Sequence, residues 1–256
     1  MVKKRLKRKT KKKPRPRSIR ILAFIISVLV LLGIGIYILS LPIFDIRDVV
    51  VNGTRMLSAD EVRALAGIPM SENLFFTNFS RAEENLGKIA AIKEVRVYRI
   101  PPATVLISVK EREPIAMVVF PKKSVVTSRD GHIINRNPNI TLIIPNMAEL
   151  PVISGINEKE ALKNNRIDKR ISQLISEVIL KLSEFMESER MRLEVGGMKD
   201  INLVLDDLLK VKIGSTEKIK RKMSVFVALL PVIAGKWSSV EYVDVRFPDN
   251  PVIKFK

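Results

Sequence analysis

Twenty-one consecutive residues, Ile21 to Leu41 (ILAFIISVLVLLGIGIYILSL), carry no charge, and no other feature constrains the chain as strongly. As a helix rising about 1.5 Å per residue they reach roughly 30 Å, the hydrocarbon thickness of a bilayer. A helix of that length in a water-soluble domain keeps polar residues on one face, and this run has none. A cleaved signal peptide has a shorter apolar stretch, roughly 7–15 residues, and a small-x-small cleavage site. Ser40-Leu41-Pro42 is a poor cleavage site. The run reads as a retained membrane span, closed by Pro42.

What precedes the span sets its direction. Residues 1–20 hold twelve of the 45 Lys and Arg and no acid, leaving 33 basic against 27 acidic residues in the other 236, a net of +6. The formal +18 is therefore mostly a tail property. Beyond the span the next fifteen residues offer only Arg47 and Arg55, with Asp45 and Asp48 beside them. The positive-inside rule then places the N-terminus in the cytoplasm and residues 42–256 outside it, a single-pass type II arrangement. Lys11, Lys12, Lys13, Arg15, Arg17 and Arg20 are the orienting cations closest to the span. The tail, residues 1–20, is too charged and too poor in apolar residues to fold alone and is expected to be disordered. Attraction to an anionic leaflet suits it, at about 1 kcal/mol per basic residue near the surface. Phosphate neutralisation by such a tail is non-specific and salt-sensitive. No aromatic is interleaved to stack on bases, so no specific nucleic acid is expected as a partner.

The segment from 43 to 114 reads as a small α+β module. Phe44–Val51 alternates and then runs apolar, as a half-buried strand does, and Asn52-Gly53 ends it with a turn. Ser58-Ala-Asp-Glu61 is a capping box ahead of the stripe Val62, Leu65 and Ala66, and Gly67 with Pro69 stops that helix. Ser80-Arg-Ala-Glu83 repeats the capping pattern before Ala82, Leu86, Ile89 and Ala90. Strands follow at Glu94–Arg99 and Thr104–Lys110, with Pro101-Pro102 turning between them. The order is β-α-α-β-β.

The remainder, 115–256, reads as a mixed β domain with two long helices. Strands are expected at Ile115–Phe120, Ser124–Thr127, His132–Ile134, Met191–Val195, Ile201–Leu205, Leu209–Ile213, Ser239–Val245 and Val252–Phe255. One amphipathic helix runs from about Asp168 to Met186 on Ile171, Leu174, Ile175, Val178, Ile179, Leu182 and Phe185. A second, capped by Ser215 or Thr216, bears Ile219, Met223, Phe226, Val227 and Leu230.

These residues carry a resemblance. Val51-Asn52-Gly53, Ser58-Ala-Asp-Glu61-Val62, Ile68-Pro-Met-Ser-Glu-Asn-Leu74, Ile92-Lys-Glu-Val-Arg-Val97, Arg99-Ile-Pro-Pro102 and Val109-Lys-Glu-Arg-Glu-Pro114 resemble a POTRA domain. More narrowly, the likeness is to that of the bacterial cell-division family FtsQ, also called DivIB. Leu150-Pro-Val-Ile-Ser-Gly155, Val211-Lys-Ile-Gly214 with Lys218 and Lys222, and Glu241-Tyr-Val-Asp-Val-Arg246 are similar to the same family's terminal domain. The resemblance implies a non-enzymatic divisome scaffold at the septum. It would bind FtsB/DivIC-like and FtsL-like membrane proteins and help regulate septal peptidoglycan synthesis. Its expected parts are a basic tail (1–20), a span (21–41), a POTRA domain (43–114) and an FtsQ/DivIB-type β domain (115–256).

Residues for catalysis do not assemble in the sequence. There is no cysteine and one histidine, His132, which excludes thiolate and poly-histidine metal sites and disulfides. No nucleophile elbow, phosphate-cradling loop or zinc helix motif is present. His132 beside Asp130-Gly131 reads as a turn-flanking residue, Glu111 as a solvated strand end, and Trp237 as cover for a core edge. No cofactor, metal or small-molecule substrate is expected. The competing reading is a membrane-anchored protein that binds or processes peptidoglycan, which needs a carboxylate pair or activated nucleophile that the sequence does not display. The cations 218–222 read as a solvated face, with an acidic partner as the alternative.

Binding then falls to a sheet edge near the C-terminus: Tyr242, Asp244 and Arg246 with the strand Val252, Ile253, Lys254 and Phe255, while Val243 and Val245 alternate into the core. An open edge accepts a partner's strand. The alternative is that Lys254 and Lys256 blunt it.

Overall fold

The structure, a computed structural model, describes residues 17–135, 137, 139–185 and 190–256. Lys11, Lys12, Lys13 and Arg15, most of the expected tail, and Met186 at the expected end of a helix lie outside the described residues. Two compact units divide the chain. The first holds residues up to Asp48 with Pro69–Thr77 and Arg99–Thr104.

Its dominant element is α1 (Arg17–Leu39), whose stretch Ile19–Leu39 is long and apolar enough to cross a membrane and is exposed throughout. Residues 17–20, expected to be disordered, form its first turn instead. Once a helix nucleus exists, adding a residue at its end is nearly neutral even for charged side chains. After α1, a 3₁₀ turn at Pro42–Phe44 leads into backbone that bonds the 71–74 segment. Pro101-Pro102 is a cis peptide bond.

The second unit holds the rest. The smaller sheet, most of whose residues it holds, has the order β1-β3-β2, from β1 (Asp48–Asn52), β2 (Ile92–Ile100) and β3 (Thr104–Glu111), with α2 (Ala59–Ala66) and α3 (Ser80–Gly87) between β1 and β2 in the chain. The β-α-α-β-β order is as expected. Val105, Ile107 and Val109 of β3 are fully buried, as are Val62, Ala66, Ala82 and Leu86 of the helices, whereas Leu65 is not. The Asn52-Gly53 turn needs glycine: φ is +89°, and a Cβ there would meet the Val109 carbonyl oxygen at 2.0 Å. Ser58 Oγ accepts the Glu61 amide at 3.1 Å, as the capping box requires. Glu61 does not return to Ser58 but accepts the Thr141 amide at 3.0 Å. Ser80 is not a cap: Phe79 holds that position without a side-chain bond. Glu83 accepts the Val97 amide instead.

Glu111 and Arg112 close this part. Glu111, expected to be solvated, is half-buried and accepts three successive amides, those of Arg55, Met56 and Leu57, at 3.0, 2.8 and 3.0 Å. Arg112 donates from Nε to the Ala90 carbonyl at 3.0 Å and pairs with Asp130.

The larger sheet has eight strands in the order β11-β10-β9-β8-β7-β6-β4-β5. They are β4 (Pro114–Val119), β5 (Ser124–Ser128), β6 (Val152–Ser154), β7 (Met191–Gly197), β8 (Asp200–Leu205), β9 (Leu209–Gly214), β10 (Val240–Asp244) and β11 (Val252–Phe255). The pairs β4–β6, β6–β7 and β9–β10 are parallel. The last two have the helical crossovers that parallel neighbours require. α4 (Glu158–Asn164) and α5 (Lys169–Leu182) join β6 to β7, and α6 (Ile219–Ile233) joins β9 to β10. Ile171, Leu174, Ile175, Val178 and Leu182 of α5 share one core with Met223, Phe226 and Leu230 of α6 and the inward strand residues. The α+β reading with two long helices holds.

Several details differ from the sequence reading. α4 was not foreseen, being a seven-residue helix held by its Asn157 cap rather than by periodicity. α5 stops at Leu182 and Phe185 lies beyond it, exposed, because the last apolar repeat has no core left to face. α6 starts after Lys218 in a left-handed conformation, without a Ser215 or Thr216 cap. His132–Ile134 forms isolated bridges to Thr127 and Arg166, not a strand.

Glu111→Ala should therefore act well beyond its own strand. We expect it to destabilise the chain by about 2–3 kcal/mol, as loss of charge-assisted bonds to three amides implies. Hydrogen exchange should show the amides of Arg55, Met56 and Leu57 losing protection first, whereas Glu111→Gln, which keeps one acceptor oxygen, should retain part of it.

Candidate functional site

The sheet ends on β11. It pairs antiparallel with β10, matching Tyr242 to Lys254, Val243 to Ile253 and Asp244 to Val252, and among the described residues it is the last strand on that side of the sheet. The Lys256 amide adds a bond to the Ser239 carbonyl at 2.9 Å. Alternation puts Val243 and Ile253 on the core face, with Val243 fully buried and Ile253 packed against the core. Val245 is likewise buried, as the alternation predicts. Val252 and Phe255 are half-exposed, and Phe247, just after the Tyr-Val-Asp-Val-Arg segment, is exposed.

The charged residues of the site are already partnered within it. Asp244 accepts from Arg246 through Nε at 2.9 and 3.0 Å, through Nη2 at 2.6 Å, and from the Arg246 amide at 3.0 Å. Burial pushes the Asp244 carboxyl up, but the Arg246 bonds and the nearby charges of Arg246 and Lys212 outweigh it, so the group titrates below the usual carboxylate value. The same side-chain bond raises the Arg246 guanidinium. The stem of Arg246 lies across Gly214, where a Cβ would sit 2.9 Å from Arg246 Cγ and φ is +74°. Tyr242 presents its ring to Lys212 Nζ at 3.4 Å from the centroid, with Lys254 Nζ at 5.7 Å, a cation–π arrangement on both counts. Lys254 also pairs with Glu241 at 2.8 Å, and that hydrogen bond raises its ammonium pKa.

Behind the edge stands a group expected in solvent. Lys218, Lys220 and Arg221 are exposed, but Lys222 is buried, donating from Nζ to the carbonyls of Ile213 and Ser215, both at 2.9 Å. Burial lowers its pKa, with Glu217 and Asp244 opposing the shift. A lysine at this point of α6 can reach the end of β9, and nothing in the local sequence distinguishes it from its solvated neighbours. The structure thus gathers Tyr242, Asp244, Arg246 and β11 at one edge, and adds Lys212, Lys222, Glu241 and Phe247. Phe247 was the legible omission, an aromatic directly before Pro248-Asp-Asn-Pro251.

Other polar and aromatic groups serve the fold. His132 is part of the Arg112–Asp130 junction, 3.9 Å from Asp130, with its pKa lowered by burial and by Arg112. Asp206 and Asp207 are both left-handed turn residues paired with Arg190 and Arg192 respectively. Trp237 is partly buried against the core. Among the described residues no cluster of three His, Cys, Asp or Glu could hold a metal ion.

Comparison with known proteins gives two family matches. The POTRA domain, FtsQ-type, covers residues 44–112, and the C-terminal domain of cell division protein FtsQ/DivIB covers 117–246. The cell division protein DivIB of Clostridium botulinum strain Hall is 25% identical over 219 residues, covering 84% of this chain and 83% of that protein. FtsQ of Corynebacterium glutamicum is 26% identical over 209 residues, covering 80% and 88%. A solved structure, the major extracytoplasmic domain of the trans isomer of DivIB from Geobacillus stearothermophilus, aligns over 50% of this chain and 98% of that one. Its identity is 11% and its TM-score 0.30.

The Asp244–Arg246 pair makes a pH prediction. A carboxyl held below its unfolded value, about 3.9, binds fewer protons folded than unfolded, so its stabilisation is complete above that value and disappears as pH falls through the folded one. Asp244→Asn should cost about 1–3 kcal/mol near neutral pH. Thermal melts taken across the acid range should show the gap between the two chains closing.

Proposed function

The chain belongs to the FtsQ/DivIB family of bacterial cell-division proteins, and from that membership we propose that it is a non-enzymatic, single-pass scaffold of the divisome. In this reading α1 anchors it with the N-terminus cytoplasmic and the remainder extracytoplasmic, enriched at the septum. Residues 43–114 act as the POTRA domain and 115–256 as the β domain. It binds FtsB/DivIC-like and FtsL-like membrane proteins and through them helps regulate septal peptidoglycan synthesis.

The observation that carries the reading is the outer edge of β11, which no strand pairs among the described residues. A terminal strand with half-exposed Val252 and Phe255 offers backbone donors and acceptors to an incoming strand, and side chains for its alternate positions. Lys254 opposes unwanted pairing, yet its ammonium is engaged by Glu241 and set beside Tyr242. The charge is thereby held on the sheet's outer face, not across the edge. Tyr242, Asp244 and Arg246 act mainly by fixing β10, against which β11 is laid.

Two outcomes are expected. The full chain lacking residues 251–256 should no longer capture the ectodomain of a DivIC-like partner, and Phe255→Ala should weaken capture about tenfold, the scale of an interface anchor. Unchanged affinity in both would rule out the edge. A fluorescent fusion of the full chain should gather at midcell in dividing bacteria, and uniform membrane fluorescence would count against the divisome placement.

A further inference from the structure

Outside α1, four large apolar side chains stand exposed among the described residues of the small unit: Ile43 at 55%, Met70 at 53%, Phe76 at 59% and Ile100 at 44%. They come from three separate stretches of chain, which hydrogen bonds gather at one place. Asn73 Nδ2 donates to the Leu39 carbonyl at 2.8 Å, so the 70–76 loop is one bond from the last residue of α1. The Leu74 amide donates to the Phe44 carbonyl and the Ile46 amide to that of Glu72, both at 2.8 Å, laying 44–46 along 72–74. Arg99 donates to the carbonyls of Leu74 and Thr77 at 2.8 and 2.7 Å, which brings Ile100 to the same module. Phe44 and Phe75 meet edge to face, centroids 5.1 Å apart.

An exposed apolar set of this size marks an interaction surface, and its attachment says with what. The apolar stretch Ile19–Leu39 is 21 residues long, about the number needed to cross the hydrocarbon of a bilayer. The Leu39 carbonyl therefore stands at the hydrocarbon boundary, and a side chain bonded to it lies at headgroup depth. Asn73 also satisfies one of the carbonyls that the last helical turn leaves without a partner, so the module is fixed to the helix end, not trailing from it. At that depth aromatic and long apolar side chains are favoured.

We propose that this module, residues 42–46, 69–77 and 99–102, is a bilayer-docking foot. Ile43, Met70, Phe76 and Ile100 enter the headgroup region of the leaflet at which α1 ends. The inference rests on α1 being a membrane span, and its partner is the lipid surface of that same bilayer.

The chain has no cysteine, so single cysteines carrying a polarity-sensitive dye can be placed in the full chain. The exposed positions suited to it are Tyr37→Cys in the span, Met70→Cys and Phe76→Cys in the foot, and Ser124→Cys as a solvent reference. The proteins are reconstituted into phosphatidylethanolamine–phosphatidylglycerol vesicles, with and without bromine on the upper acyl carbons. The expected result is blue-shifted emission at 70 and 76, lost in brominated vesicles nearly as completely as at 37, with neither effect at 124. Dyes at 70 and 76 that match position 124 would overturn docking. Dyes shielded from water but unaffected by bromine would overturn it too, by assigning the surface to a protein. A dye at 37 untouched by bromine would instead remove the span on which the proposal stands.

Discussion

Two neighbouring residues of opposite charge, Glu111 and Arg112, tie the end of the small sheet to the start of the large one. The carboxylate turns back and binds the amides of 55–57, fixing the entry to α2. The guanidinium turns the other way, to the Ala90 carbonyl and Asp130. Asp130 also accepts from Ser128 Oγ at 2.6 Å, and the Arg112 and Ser128 contacts overcome burial to keep its pKa low. Gly131 follows with φ +86°, where a Cβ would come within 2.9 Å of the Ile167 carbonyl oxygen, one residue before the Asp168 cap of α5. A strand end in the small sheet thus sets the turn on which the principal helix of the large one begins. Glu-Arg adjacency suffices because consecutive residues on an extended chain point to opposite sides.

From that junction the eight-stranded sheet runs to two unlike ends. At β5 the outer row is occupied: Ile134 donates to the Val126 carbonyl at 3.0 Å and Ser128 to that of His132 at 2.9 Å. The short stretch 132–134 therefore covers the edge without forming a regular strand. At β11 the described residues provide no equivalent cover. Exposed edges invite pairing, and of the two ends of this sheet the β5 end is blanketed while the β11 end is rimmed by the half-exposed Val252 and Phe255.

The elements legible in the sequence were those whose signal is local and repetitive. The charge-free span, the two-residue alternation of β3 and the long apolar stripe of α5 announce themselves because one neighbour repeats the message of the next. What escaped depends on partners distant in sequence. Glu111 is an ordinary acid until the 54–58 loop folds over it; Lys222 matches Lys218 and Lys220 until β9 presents two carbonyls. Glu61 satisfied half of its capping box and gave the other half to Thr141, eighty residues away. α4, with one buried residue, has too little apolar pattern to read.

The same distinction reorders the candidate site. Tyr242 to Arg246 is the segment most readily recognised in the sequence, yet its side chains face mainly inward or toward one another. Val243 and Val245 are core, and Asp244 and Arg246 close on each other over Gly214. Lys222 then fixes the β9–α6 turn from beneath, and its buried charge is tolerated because two carbonyls and the fields of Glu217 and Asp244 oppose the cost of burial. A segment so occupied by its own fold is suited to holding a surface in place more than to being one. The half-exposed Val252 and Phe255 and the exposed Phe247 keep side-chain surface that the fold does not use. Recognisability here tracks the number of internal constraints a residue satisfies.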